Sequence, residues 1–97
     1  MATVVYGARA LLDFEHLFEF LARHDPSSAV ASATAIRTAI EMLAHHPLVG
    51  PRVRGDIREM VISFGKTGYL ALYRFVPARE EVRILAIRHQ REVGYTG

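Results

Sequence analysis

The amino-acid sequence predicts an α+β fold in the order β-α-α-β-β-β, an antiparallel meander sheet with an N-terminal helical hairpin packed on one face. Three observations predict it. A β-branched run, "TVVYG", precedes two stretches of helical periodicity; the short break "HDPSS" separates those stretches; and from residue 57 onward strand-like runs alternate with tight turns. Short connections make consecutive strands antiparallel, and a helical hairpin laid on their sheet buries every apolar stripe.

"TVVYG" reads as the first strand, closed by Gly7. A helix is predicted over Ala8–Arg23, where Leu11, Phe14, Phe18 and Leu21 have the spacing of one face and Leu12, Leu17 and Phe20 widen it. Asp25 is placed to cap the second helix, and Pro26 suits its first position. That helix is predicted from Pro26 to His45, with Ala29, Ala33, Ile36, Ile40 and Leu43 as a narrow seam. So short a break makes the two helices an antiparallel hairpin.

"HHPLVGPRVRGD" carries two prolines and two glycines and reads as a connection. Three strands follow, "IREMVISF", "YLALYRFV" and "VRILAIRHQ", separated by "GKTG" and "PAREE". On the last of them Leu85, Ile87 and His89 alternate with Ile84, Ala86 and Arg88, so both faces begin apolar and turn polar together.

A chain of 97 residues with 51% hydrophobic residues is read as a single domain over residues 1–97. The absence of cysteine excludes disulfide scaffolds, thiolate metal sites and cysteine nucleophiles, and it fits a reducing cytosol. The apolar segment near the N-terminus is interrupted by Asp13, Glu15, His16 and Glu19, and no run approaches the ~20 apolar residues of a membrane span. A soluble, cytoplasmic protein is expected. The net charge of +2 is unevenly placed: Arg9, Arg23 and Arg37 face five acids before residue 52, whereas eight arginines and Lys66 face five acids after it. Arginine matches phosphate or carboxylate two oxygens at a time.

Several motifs point to ordinary structure. "FGKTG" lacks the upstream glycine of a phosphate loop, because Met60 stands there, and it lies between strands. His45 and His46 are adjacent, a poor chelating pair, and His16 and His24 have no third ligand at helical spacing; no metal site and no cofactor are predicted. The pairs Glu15/Glu19 and Glu80/Glu81 read as solvated charge.

The C-terminal cluster differs. Arg88, His89, Arg91, Glu92 and Tyr95 fall close together, Arg74 lies near the end of the preceding strand, and Arg58 lies near the start of the strand before that. Met at one rim of the sheet, these groups would hold a phosphate and move a proton through His89. The alternative is an exposed strand end with charge-paired surface groups.

The order of elements, with "HPLVGPRVR", "IREMVISFGKTGYLALYRFV" and "VRILAIRHQREVGY", resembles the RelE/ParE superfamily of bacterial type II toxins, over most of the chain. The resemblance implies the toxin of a chromosomal or plasmid-stabilising module, neutralised by a cognate antitoxin whose C-terminal segment covers apolar grooves. Leu12, Leu17 and Phe20 are the candidate antitoxin-binding residues; packing under the sheet or a homodimer contact would also account for them, and a toxin–antitoxin hetero-oligomer is the further assembly implied. One branch of the superfamily comprises ribosome-dependent mRNA endoribonucleases, the other ParE-like inhibitors of DNA gyrase. In the nuclease branch an Arg commonly follows the "GY" of the middle strand and lysines line the strand before it; here Leu70 follows Gly68-Tyr69, and Val61 and Ser63 occupy the earlier strand. The resemblance therefore leans to the gyrase branch, with Arg74, Arg88, His89 and Arg91 as target-binding residues. Under the nuclease alternative Arg58 and Arg74 would steady phosphate while His89 or Tyr95 handled the proton. A degenerate member that binds antitoxin without toxicity is the third reading.

Overall fold

The structure, a computed structural model, describes residues 1–64 and 67–90. Two helices, α1 (Ala8–His24) and α2 (Pro26–Met42), follow the first strand β1 (Thr3–Tyr6). Four strands come after them: β2 (Arg52–Arg54), β3 (Ile57–Phe64), β4 (Thr67–Val76) and β5 (Glu81–His89), the last two joined through a single 3₁₀ turn at Pro77–Arg79. The strand order is β1-β5-β4-β3-β2, antiparallel throughout except for β1, which lies parallel to β5.

The meander is as the turn chemistry predicts, with two refinements. The sheet is mixed, because β1 occupies the edge beside β5, with Thr3 opposite Glu81 and Tyr6 opposite Ile84. In addition, the connection after α2 contains the edge strand β2, whose three exposed residues Arg52, Val53 and Arg54 pair irregularly with β3. Such a short, charged edge is a poor template for further pairing.

Both helices show why they start where they do. Gly7 precedes α1 and donates its N–H to Ile84 O at 2.9 Å, and an added Cβ would stand 3.1 Å from that carbonyl. At the start of α2 the Asp25 carboxylate accepts from the Ser28 N–H at 3.4 Å and from the Ser27 hydroxyl at 3.1 Å. Those two bonds, the Ser27 hydroxyl foremost, hold its pKa below the ordinary carboxylate value. The second helix ends at Met42 rather than His45, since residues 43–45 form turns leading into Pro47.

The buried side of α1 keeps Phe14 of the predicted stripe but is rotated toward Ala10 and Leu17, which also pack on the core, while Leu11 and Phe18 are exposed. The alternation of the sheet sends Met60 and Ile62 of β3, Tyr69, Ala71 and Tyr73 of β4, and Val82, Ile84 and Ile87 of β5 against Ile36, Ile40 and Leu43. Full burial of each such aliphatic side chain stabilises by ~1.5–3 kcal/mol. Among the described residues α1 and α2 pack on this one face, and Arg74 and Arg88 emerge on the other.

Candidate functional site

The register of β4 against β5 decides which basic side chains share a place. His89 stands opposite Tyr69 and Arg88 opposite Leu70, whereas Arg74 stands opposite Arg83. Five positions separate Tyr69 from Arg74, so Arg74 lies about 17 Å along the sheet from His89 at ~3.4 Å per residue, and on the other face. The reason is elementary: in an antiparallel pair the C-terminal end of one strand lies beside the N-terminal end of the next. The expectation that Arg58, Arg74, Arg88 and His89 meet at one rim is corrected accordingly. Arg91 and Tyr95 lie outside the described residues.

Each displaced arginine has a different occupation. Arg74 donates through Nε to Asp56 Oδ1 at 2.9 Å, and its cross-strand neighbour Arg83 grips Glu81 Oε2 through Nε and Nη2 at 3.0 and 2.9 Å. Two arginines placed directly opposite would repel, and the interposed acids offset that. Arg58 is on the same face as His89, but its Nη1 donates to the carbonyls of Leu48 and Gly50 at 3.2 and 2.7 Å. The Gly50 N–H in turn donates to the buried Tyr73 hydroxyl at 2.9 Å, and a Cβ at Gly50 would come 2.5 Å from the Glu59 carbonyl. Arg58 and Tyr73 thus fasten the proline–glycine connection to the sheet.

At the other end of the ribbon, the His89 and Tyr69 rings meet edge to face, with centroids 5.5 Å apart and planes at 89°. Such a contact contributes ~0.5–1.5 kcal/mol beyond buried area. Arg88 leaves the same strand end on the open face and is exposed. Between the two ends β5 carries an irregularity: Ala86 pairs with Leu72 and Ile84 with Tyr73, which leaves Leu85 without a partner on β4. Among the described residues no group of three His, Cys, Asp or Glu side chains converges as a metal site would.

The family model of the ParE toxin of type II toxin-antitoxin systems, parDE, matches residues 4–94. The chain belongs to the RelE/ParE superfamily of type II toxins. It is 37% identical to the toxin RelE3 of Caulobacter vibrioides over 92 residues, covering 95% of this chain and 98% of that toxin. Its fold is similar to that of the chromosomal ParDE toxin–antitoxin system from P. aeruginosa, with a TM-score of 0.74 at 17% identity over 92% of this chain and 96% of that one. It is also similar to the intact E. coli RelBE toxin–antitoxin complex, with a TM-score of 0.67 at 12% identity over 91% and 95% of the two chains.

The helical hairpin of the toxin carries the second surface of interest. Leu12 and Phe20 are each 51% exposed, and Phe20 leans on the His24 ring at a centroid distance of 4.6 Å. Leu17, by contrast, packs on the core. Leu11 at 56% and Phe18 at 38%, which periodicity assigns to the interior, are exposed as well, on the other flank of α1 from Phe20. Phe14, Leu17, Phe18, Leu21, Ala29, Ser32, Ala33 and Ile36 line a shallow cleft between α1 and α2 that holds no titratable group. Among the described residues no helix is long and apolar enough to cross a membrane.

Proposed function

We propose that this toxin disables its target by binding rather than by cutting, in the manner of the gyrase-inhibiting ParE-like branch, and that a cognate antitoxin neutralises it. The observation that carries this reading is the separate occupation of the two arginines a nuclease would need beside His89. Arg58 is bound to the Leu48 and Gly50 carbonyls, and Arg74 is paired with Asp56 at the far end of the ribbon. Leu70 after Gly68-Tyr69, and Val61 and Ser63 on β3, support it further. Arg88 and His89 are then target contacts, one on each face of the β5 terminus. The antitoxin covers the exposed apolar side chains of α1, with Leu12 and Phe20 as contacts, and the ParDE and RelBE complexes of similar fold support such a partner. Either target places the action in the cytoplasm.

A ribosome-dependent mRNA endoribonuclease is the second reading, favoured by the 37% identity to a toxin named RelE3. The two separate on induction without antitoxin. Loss of supercoiling with intact message is the expected result; cut message with normal supercoiling would overturn the proposal in favour of the nuclease. Normal growth, with antitoxin binding retained, would identify a degenerate member that poisons neither target.

A further inference from the structure

Asp13 is an acid for which the proposed function has no use. It lies on α1 three positions after the buried Ala10 and four before Leu17, and only 14% of its side chain is exposed. Its Oδ1 accepts from Arg9 Nε at 2.9 Å, and its Oδ2 accepts from the backbone N–H of Ile87 at 3.0 Å. That second bond joins residues 74 positions apart in the chain.

Two features of β5 give the Ile87 amide its importance. First, β1 stops at Tyr6, opposite Ile84, so beyond that point, among the described residues, β5 has a strand neighbour on the β4 side alone. Second, the irregularity at Leu85 inverts the alternation of the strand. Before it Val82 and Ile84 face the helices; after it Ile87 does, and His89 stands beside Tyr69. Without the extra residue every side chain past Leu85 would change face, sending Arg88 toward the helices and His89 to the open side.

We propose that Asp13 is a positioning residue that locks the bulged register of β5, and so decides that His89 and not Arg88 stands against Tyr69. The carboxylate supplies a charge-assisted acceptor where the sheet has run out of strands, and such bonds are roughly twice as strong as neutral ones. Arg9 is on the outer oxygen and is not required for the lock. The functional consequence, though not the geometry, rests on the reading of Arg88 and His89 as target contacts.

The test uses the isotopically labelled full chain with four substitutions: Asp13→Ala, Asp13→Leu, Asp13→Asn and Arg9→Ala. Two signals are followed, hydrogen exchange of the Ile87 amide relative to Val82 and Ile84, and the NOE between the Tyr69 and His89 rings. Asp13→Ala should lose roughly tenfold protection at Ile87 beyond any change at the other two amides, the equivalent of one hydrogen bond. It should also lose the ring NOE. Asp13→Leu, which keeps the branched side-chain skeleton with methyl groups in place of the oxygens, should do the same and serves if the alanine variant does not fold. Asp13→Asn retains an acceptor and should retain both signals, as should Arg9→Ala. Persistence of the ring NOE in the alanine or leucine variant would overturn the proposal, whatever happens to the Ile87 amide, and so would an asparagine variant as defective as they are. Target inhibition is measured in parallel, where Asp13→Ala should fall as far as His89→Ala. If His89→Ala itself leaves inhibition intact, the target-contact reading fails while the two NMR signals still decide the register.

Discussion

The two ends of the β4–β5 ribbon use the same residue types differently. At one end Arg74 and Arg83 stand side by side, each matched by an acid, and nearby Arg58 holds the carbonyls of the connection. At the other end Arg88 is exposed and makes no ion pair among the described residues, while His89 meets the Tyr69 ring edge to face. Charge density alone therefore does not mark a working surface. What distinguishes Arg88 from Arg58, Arg74 and Arg83 is that the latter three guanidinium groups already have partners among the described residues, and a satisfied guanidinium must give up those bonds before it can hold anything else.

The comparison breaks most visibly at Arg58. Removing it leaves the Gly50 carbonyl, a part-buried acceptor, without its charged donor. Arg58→Ala should destabilise the toxin by about 2–3 kcal/mol, with a fall in Tm of roughly 4–8 °C per kcal/mol for a domain of this size. Thermal and denaturant unfolding would show it. A stable Arg58→Ala toxin that had lost mRNA cleavage would instead give this arginine a place in a reaction centre.

Tyr73→Phe tests the same fastening from the other side. It removes the acceptor of the buried Gly50 N–H, a bond of 2.9 Å, and keeps the ring in place. A loss of about 2 kcal/mol is expected, measured as a shift of the denaturation midpoint at unchanged slope. His89→Ala examines the opposite end, where the loss of the Tyr69 contact should cost stability about 0.5–1.5 kcal/mol, less than Arg58→Ala, and target binding should weaken about tenfold, near 1.4 kcal/mol. If stability falls and inhibition does not, the two ends are both structural and the contrast between them disappears.

How much of this was legible in the sequence follows from which interactions are local. Turn chemistry and helical periodicity depend on neighbouring residues, so α1, α2 and the three long strands could be read directly, as could Asp25 at the start of α2. Register is not local. The placement of Arg74 depended on a pairing rule that the sequence already contained, since a short turn at "PAREE" forces the end of β4 beside the start of β5. The bulge at Leu85 was hidden because β5 is apolar on both faces through that region, and a slip of one residue leaves no mark in such a pattern. Asp13 had a visible signal, a carboxylate within the stripe Ala10, Phe14 and Leu17. Periodicity hides it, because Leu11, Phe14, Phe18 and Leu21 define a face that leaves Asp13 on its outer side. The identity of β1 as a strand was legible, but its parallel seat beside β5 joins opposite ends of the chain and no nearby residue encodes it.

Arg74 offers the smallest effect and for that reason the sharpest contrast. It is 39% exposed and its partner Asp56 is 66% exposed, so water screens the pair and competes for both groups. Arg74→Ala and Asp56→Ala, alone and together, should give a coupling of about 0–0.5 kcal/mol, decreasing further with added salt. Arg74→Ala should also leave target inhibition unchanged, whereas Arg88→Ala, on the same face about 14 Å away, should reduce it. Equal losses from both substitutions would mean that the target spans the whole open face of the ribbon, so that the Asp56 pair opens on binding. In that case the division between an end that holds the fold and an end that meets the target would have to be redrawn as a division between the two faces of the sheet.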